Sequence, residues 1–269
     1  MRTGVSTASL FMRANTEDAM TVLENMGVKT VEVFLGTFSE YGYPFADILK
    51  EKKGGLTVNS VHDLNTQFEP QLFNMHPRAK ADAYAWLGKV FDSANALNAP
   101  YYTFHGTARI KRASKSGLND NFSHICRCFE EMTDFAQKRG VTLCLENVEW
   151  STYNRPGVFK TISSVAQNLL GVLDVKQARI SEYPYEEYLK EMGNKIAYVH
   201  ASDFGERGMC LPGQGSFDFE EMVLRLKDVG FDGALIIEVY EKDYETPAQL
   251  KQSCDYLDEI LYKHGCLSK

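Results

Sequence analysis

Residues 137–147 read QKRGVTLCLEN, and the fold class follows from how that stretch divides. Its polar start is the tail of a helical segment, Gly140 stops the helix, and residues 141–146 are an apolar run of strand length ending on a carboxylate. A glycine just past a helix supplies the left-handed conformation that closes the last turn. A short apolar run without alternation reads as a strand buried on both faces. The same grammar recurs in ENMGVKTVEVF at 24–34 and KDVGFDGALIIEV at 227–239, and Asn98 takes the glycine's part before Tyr101.

Working outward, β-rich runs fall at residues 4–7, 30–35, 56–61, 101–105, 141–146, 169–174, 196–200 and 234–240. Helical periodicity fills the gaps between them. Residues 16–26 place Ala19, Met20, Leu23 and Met26 on one face. Ile125, Phe129, Met132 and Phe135 do the same over 121–138, as do Met222, Val223 and Leu226 over 219–229. Asn15 is placed to cap the first of these helices, and Thr246-Pro247 to start the last. Eight strand–helix units in 269 residues favour an α/β fold of the (β/α)₈ TIM-barrel type, typically about 250 residues long. An open doubly wound sheet has the same units, so counting them does not prove closure. No Gly/Ser-rich or Pro-rich linker divides the chain, so residues 1–269 read as one domain. The irregular stretches near 63–75, 107–119 and 202–216 each follow a strand. In a barrel they crowd the C-terminal face, where active sites lie.

Bulk properties narrow the function. A formal net charge of −7 argues against a phosphate-backbone footprint, hence against nucleic acid. Six cysteines with no CxxC pair suggest reduced thiols and a cytoplasmic protein. The chain enters GVST almost at once, leaving no room for a signal peptide. No apolar run approaches the roughly 18 residues that a membrane helix needs.

The chemistry sits at strand ends. Glu146, Asp174, His200 and Glu238 close the runs TLCLE, GVLD, IAYVH and ALIIE, while His62 and His105 close LTVNSV and YYTF. If the strands are parallel neighbours, three carboxylates and an imidazole converge, and a divalent cation relieves their repulsion. A lone His or Glu at a strand end is more often a loop anchor; the joint occurrence is what points to a metal. The mixed oxygen and nitrogen set suits Mn, Co, Zn, Fe or Mg.

Four segments carry a resemblance to a known family: LENVEW around Glu146, YVHASD around His200, LPGQGSFDF at 211–219 and IIEVY around Glu238. In this order they resemble the xylose-isomerase-like TIM-barrel superfamily of sugar isomerases and epimerases, inosose dehydratases and zinc-dependent AP endonucleases. The resemblance spans nearly the whole chain. It implies that Glu146, Asp174, His200 and Glu238 are metal ligands, with the two glutamates also acting as acid and base on opposite sides of the substrate. It implies further that His62 and His105 hold an additional metal or contact substrate. Arg207 is similar to arginines placed near substrate in epimerases.

Two departures matter. Where the family usually has His three residues after the aspartate, this chain has Gln177. The Asp-x-His pair ahead of the PGQG turn in the endonucleases is missing from residues 206–210. An endonuclease-like hydrolase is therefore disfavoured, and a carbohydrate-binding barrel without turnover stays in view because of Gln177. The leading expectation is a metal-dependent isomerase or epimerase of a small keto-sugar or sugar phosphate, with an inosose-dehydratase-like lyase as the alternative. Both begin by removing a proton beside a metal-bound carbonyl. Gln177, Arg207 and Trp150 are the expected substrate contacts, and Phe34, Phe68, Tyr153, Phe204 and Tyr240 are further aromatics near strand ends. Arg109, Lys111, Arg112 and Lys115 form a basic loop after His105, more readily a solvated surface than an anion lid. Relatives form dimers or tetramers through outer helices, so a homo-oligomer is compatible with this reading.

Overall fold

The computed structural model describes residues 1–42, 44–64, 68–107, 119–206 and 208–267. Arg207 and the basic residues Arg109, Lys111, Arg112 and Lys115 lie outside the described residues. Ten strands run in chain order: β1 Arg2–Ser6, β2 Thr30–Leu35, β3 Thr57–Asp63, β4 Tyr101–Phe104, β5 Thr142–Glu146, β6 Leu170–Asp174, β7 Ile196–Ala201, β8 Asp203–Gly205, β9 Gly208–Cys210 and β10 Ala234–Ile237. Eight of them close into a parallel barrel in the order β1-β10-β7-β6-β5-β4-β3-β2, and β8 and β9 form a separate antiparallel pair. Closure rules out the open sheet. The helices are α1 Thr16–Asn25, α2 Phe38–Gly42, α3 Phe45–Lys52, α4 Pro77–Leu97, α5 Asn119–Gln137, α6 Val158–Val165, α7 Val175–Ile180, α8 Tyr185–Met192, α9 Phe219–Asp228 and α10 Ala248–Lys263. None of the described helices is long and apolar enough to cross a membrane.

The shared helix-stop grammar has one physical basis. At the end of α5, Gly140 takes φ 72°, its N–H bonds the Gln137 carbonyl, and Val141 N–H bonds the Ala136 carbonyl. That pair of bonds uses up carbonyls the helix leaves free and turns the chain directly into the next strand. Asn98 does the same at φ 56° with Ala99 N–H on Ala94. The start signals differ in detail. Asn15 sits at the first cap position without a side-chain bond, while Thr16 Oγ1 donates to Phe34 O and Glu40. For α10 the capping amide comes from within, as Gln249 Oε1 accepts from the N–H groups of Glu245 and Thr246.

Strand alternation builds the site. On β5, β6, β7 and β10, the residues Leu143, Leu145, Leu173, Val199, Leu235 and Ile237 belong to the main core shared with the helices. Cys144, Val172, Tyr198, Ala234 and Ile236 form a second, smaller apolar cluster that plugs the barrel interior. Because side chains alternate, the residues two past Cys144, Val172, Tyr198 and Ile236 also point inward. Those residues are Glu146, Asp174, His200 and Glu238.

The HASD and PGQG segments meet through Asp203. Its Oδ1 accepts from the N–H groups of Phe204 (2.7 Å) and Phe217 (2.8 Å), and its Oδ2 from Gly213 and Gly215 (3.0 Å each). A Cβ on Gly215 would stand 2.3 Å from Asp203 Oδ1, so only glycine admits this approach. The D203N variant keeps the shape but turns an amide NH₂ toward N–H donors. We expect a loss of about 2 kcal/mol, a melting-temperature drop of about 4–8 °C in a chain of this size, read by differential scanning calorimetry. An unchanged melting temperature would mean that the loop is held by other contacts.

Candidate active site

Glu238, His200, Asp174 and Glu146 come from, or directly follow, four consecutive strands of the closed barrel, β10, β7, β6 and β5. Asp174 and His200 are register partners on adjacent strands, and the two glutamates flank them on either side. One ligand-type atom from each of the four lies within 4.8 Å of all the others. Carboxylates this close repel by roughly 3 kcal/mol per pair at an effective dielectric of about 20.

His200 is oriented from behind. Glu32, on β2, places Oε1 3.1 Å from His200 Nε2, and a buried carboxylate held ionised can only accept, so Nε2 carries the proton. Nδ1 then faces the acidic residues, at 2.7 Å from Glu238 Oε2, 3.0 Å from Glu146 Oε1 and 3.9 Å from Asp174 Oδ2. The Glu238 contact is short but lies outside hydrogen-bond geometry, so Glu238 Oε2 and Asp174 Oδ2 are both buried without a hydrogen-bond partner. Two orphaned carboxylate oxygens converging on an imidazole nitrogen fit a cation better than they fit each other.

Asp174 divides its work. Its Oδ1 accepts from Gln177 N–H at 2.9 Å and caps α7, while Oδ2 turns to the cluster. The cap uses one carboxylate oxygen and leaves the other in the cluster. Asn147 locks the neighbouring strand ends, donating to Asp174 O and accepting from Asp174 N–H, each at 2.8 Å.

Glu32 is the residue that reading the sequence missed. Fully buried, it accepts from Ser6, Ser60 and Thr103 hydroxyls as well as contacting His62 Nδ1 at 3.2 Å and His200 Nε2. Burial alone would raise its carboxyl, but His200 and His62 outweigh this and hold it well below the usual range. A lone acid inside the apolar run TVEVFL was the available signal. The same opposition acts on His200. Burial disfavours its charge, yet Glu238, Glu32 and Glu146 raise it well above its ordinary value. The flanking glutamates are pushed apart. Burial lifts Glu146 upward against the pull of His200, whereas at Glu238 burial is outweighed by His200 and Lys176, which hold it low.

His62 and His105 stand beside this cluster, their Nε2 atoms 2.9 Å apart. His105 also contacts Glu69 Oε2 through Nδ1 (3.2 Å) and Glu146 Oε2 through Nε2 (3.4 Å). Burial and the neighbouring His62 push His105 down to about 4, while Glu32 overcomes burial to bring His62 up to about 9. His62, His105 and Glu146 form a second group that could hold an ion.

Of the expected substrate contacts, Trp150 is 41% exposed and leans on His105 with ring centroids 5.5 Å apart. Gln177 spends its amide oxygen on Glu149 N–H at 3.2 Å, tying α7 to the loop after β5. Phe34, Phe68, Tyr153 and Phe204 are buried packing residues, and only Tyr240 of that set matches Trp150 in exposure. A cavity of about 1070 Å³ opens beside the cluster. Its wall includes Lys176, Arg179, Phe204, Gln214 and Tyr240 but none of the four convergent side chains, so it adjoins the cluster rather than containing it.

A family model described as xylose isomerase-like TIM barrel matches residues 20–260. The inosose isomerase of Halalkalibacterium halodurans is 23% identical over 193 residues, which span 66% of this chain and 67% of that protein. Among solved structures, a D-tagatose 3-epimerase-like protein matches with TM-score 0.80 at 19% identity over 98% of each chain. The IOLI protein with a zinc atom matches with TM-score 0.77 at 18% identity over the full length of both. These structural likenesses concern the fold.

Proposed function

Because the chain belongs to the xylose isomerase-like TIM-barrel family, we propose that it is a metal-dependent isomerase or epimerase of a small keto-sugar or inosose. The observation that carries this reading is the run of four consecutive strands with a glutamate on each flank of Asp174 and His200. Relatives named for sugar epimerisation and inosose isomerisation support the substrate class. A protein of the same fold solved with a zinc atom supports a metal requirement.

Glu146, Asp174, His200 and Glu238 would hold the ion, with Glu32 fixing the His200 ring. When bound, a divalent cation polarises a substrate carbonyl and stabilises the negative charge that develops as the neighbouring carbon loses its proton. Glu146 and Glu238 do the proton work: one carboxylate takes a proton from the carbon beside the carbonyl, and the other returns one from the far side. Use of both faces inverts a centre, whereas one face used twice moves the carbonyl. His62, His105 and the exposed edge of Trp150 meet the substrate on the β3–β5 side.

The test is solvent exchange. Protein loaded in turn with Mn, Co, Zn and Mg is incubated with a panel of keto-sugars and inososes in D₂O and followed by NMR. The expected result is deuterium at the carbon beside the carbonyl of at least one substrate, lost on treatment with chelator. No incorporation across the panel with any metal would overturn the proposal.

A further inference from the structure

Lys176 is a buried cation at the inner wall of the cavity, and this inference rests on the proposed function. Only 6% of Lys176 is exposed, although it belongs to a two-turn surface helix. Its Nζ stands 3.6 Å from Asp174 Oδ2, beyond hydrogen-bond distance, and 5.2 Å from the centre of the Tyr240 ring. An ammonium has three donors, and from the cavity wall it can offer them to an oxygen that enters the cavity. Asp174 Oδ2 does not close on it, because Oδ1 is fixed by the α7 cap. Lys176 lines the cavity along with Arg179, Lys242, Glu206, Asp243 and Glu245, and it alone among these charged groups is buried. Gln177 accepts from Glu149 N–H through its amide oxygen, which leaves it only an uncharged NH₂ to offer.

We infer that Lys176 is the substrate-binding residue of this segment, its ammonium donating to a hydroxyl or carbonyl oxygen of an uncharged keto-polyol seated between the cavity and the four-residue cluster. Charge selects the uncharged class. Three carboxylates opposed by one ammonium leave the two negative charges that one divalent cation cancels. A filled cluster is therefore neutral, and among the described residues the cavity's Arg179 and Lys242 are already matched by Glu206, Asp243 and Glu245, which leaves no surplus positive charge for a phosphate or carboxylate. Glu32 and His62 cancel each other separately.

The test measures binding rather than turnover. Wild type, K176M and K176R, each loaded with Mn, are titrated by calorimetry with an uncharged ketohexose or inosose and with the matching sugar acid. Bound metal is counted in every sample. Wild type should bind the uncharged ligand at least tenfold more tightly than the acid. K176M should lose at least tenfold in that affinity while keeping its metal, K176R should recover part of it, and in any turnover assay KM should rise more than kcat falls. K176M binding within twofold of wild type would overturn the inference while leaving the proposed function standing. Tighter binding of the acid, abolished in K176M, would overturn the uncharged class. No sugar bound by wild type at all would overturn the functional reading and this inference with it.

Discussion

The E238Q and E146Q variants should each lose at least about 10³-fold in turnover while circular dichroism stays near wild type. General acid–base catalysis alone is typically worth 10²–10⁴-fold. Each of these carboxylates is also proposed as a ligand, so the loss should sit toward the upper end. The glutamine is isosteric, which removes the charge without opening a cavity. Glu238 is held low by His200 and Lys176, so losing its charge removes an ion-pair contribution and E238Q should melt somewhat lower with its fold intact. Glu146 is raised by burial and flanked by His105 and His200, so its glutamine can still accept one bond. Turnover and bound metal must be measured together. A variant that keeps its metal and loses activity identifies the proton-transfer group, whereas near-normal activity in either would overturn the pairing.

E32Q should weaken metal binding by about 10–100-fold, the usual range for changing a residue that orients a ligand. Glu32 is not one of the four proposed ligands and acts on them through His200, although with His62, His200 and Glu238 it also forms a group close enough to hold an ion. An amide in its place presents an NH₂ group to donors that need an acceptor. The imidazole must then give up its bond or move the proton to Nδ1, the nitrogen aimed at Glu146, Asp174 and Glu238. Competition with a metallochromic chelator gives the affinity directly. In the NMR spectrum of the zinc-loaded protein, the exchange-protected His200 N–H should also shift or vanish, which mere loosening of the fold would not single out. Metal affinity within twofold of wild type would show that the ring is held by its packing.

The barrel was legible because its signals are local. Each helix-stop Gly, and Asn98, is demanded by a left-handed turn, and each apolar run is short enough to be only a strand. The four convergent residues were legible for a related reason: a polar residue ending a buried strand on its inward face has one place to go. Glu32 hides in mid-strand, and its purpose depends on ring closure. It lies 168 residues from His200 in sequence, and the short way round the ring from β2 to β7, through β1 and β10, exists only once the barrel closes. Lys176 hides for the opposite reason, since a lysine on a short helix ordinarily faces water, and only the neighbouring cavity wall gives it another role. Phe68 and Tyr153 looked like sugar platforms because proximity to a strand end does not reveal whether a ring turns outward or back into the core.

Anchoring one oxygen of Asp174 to the start of α7 leaves that carboxylate no freedom to swing. It can offer a cation a single oxygen, from a single bearing, unless the helix start unravels. Glu146 and Glu238 have longer arms and no such tether. If these residues hold an ion as proposed, any shift among its ligands would fall to the two glutamates, with the aspartate as the fixed point of the compass.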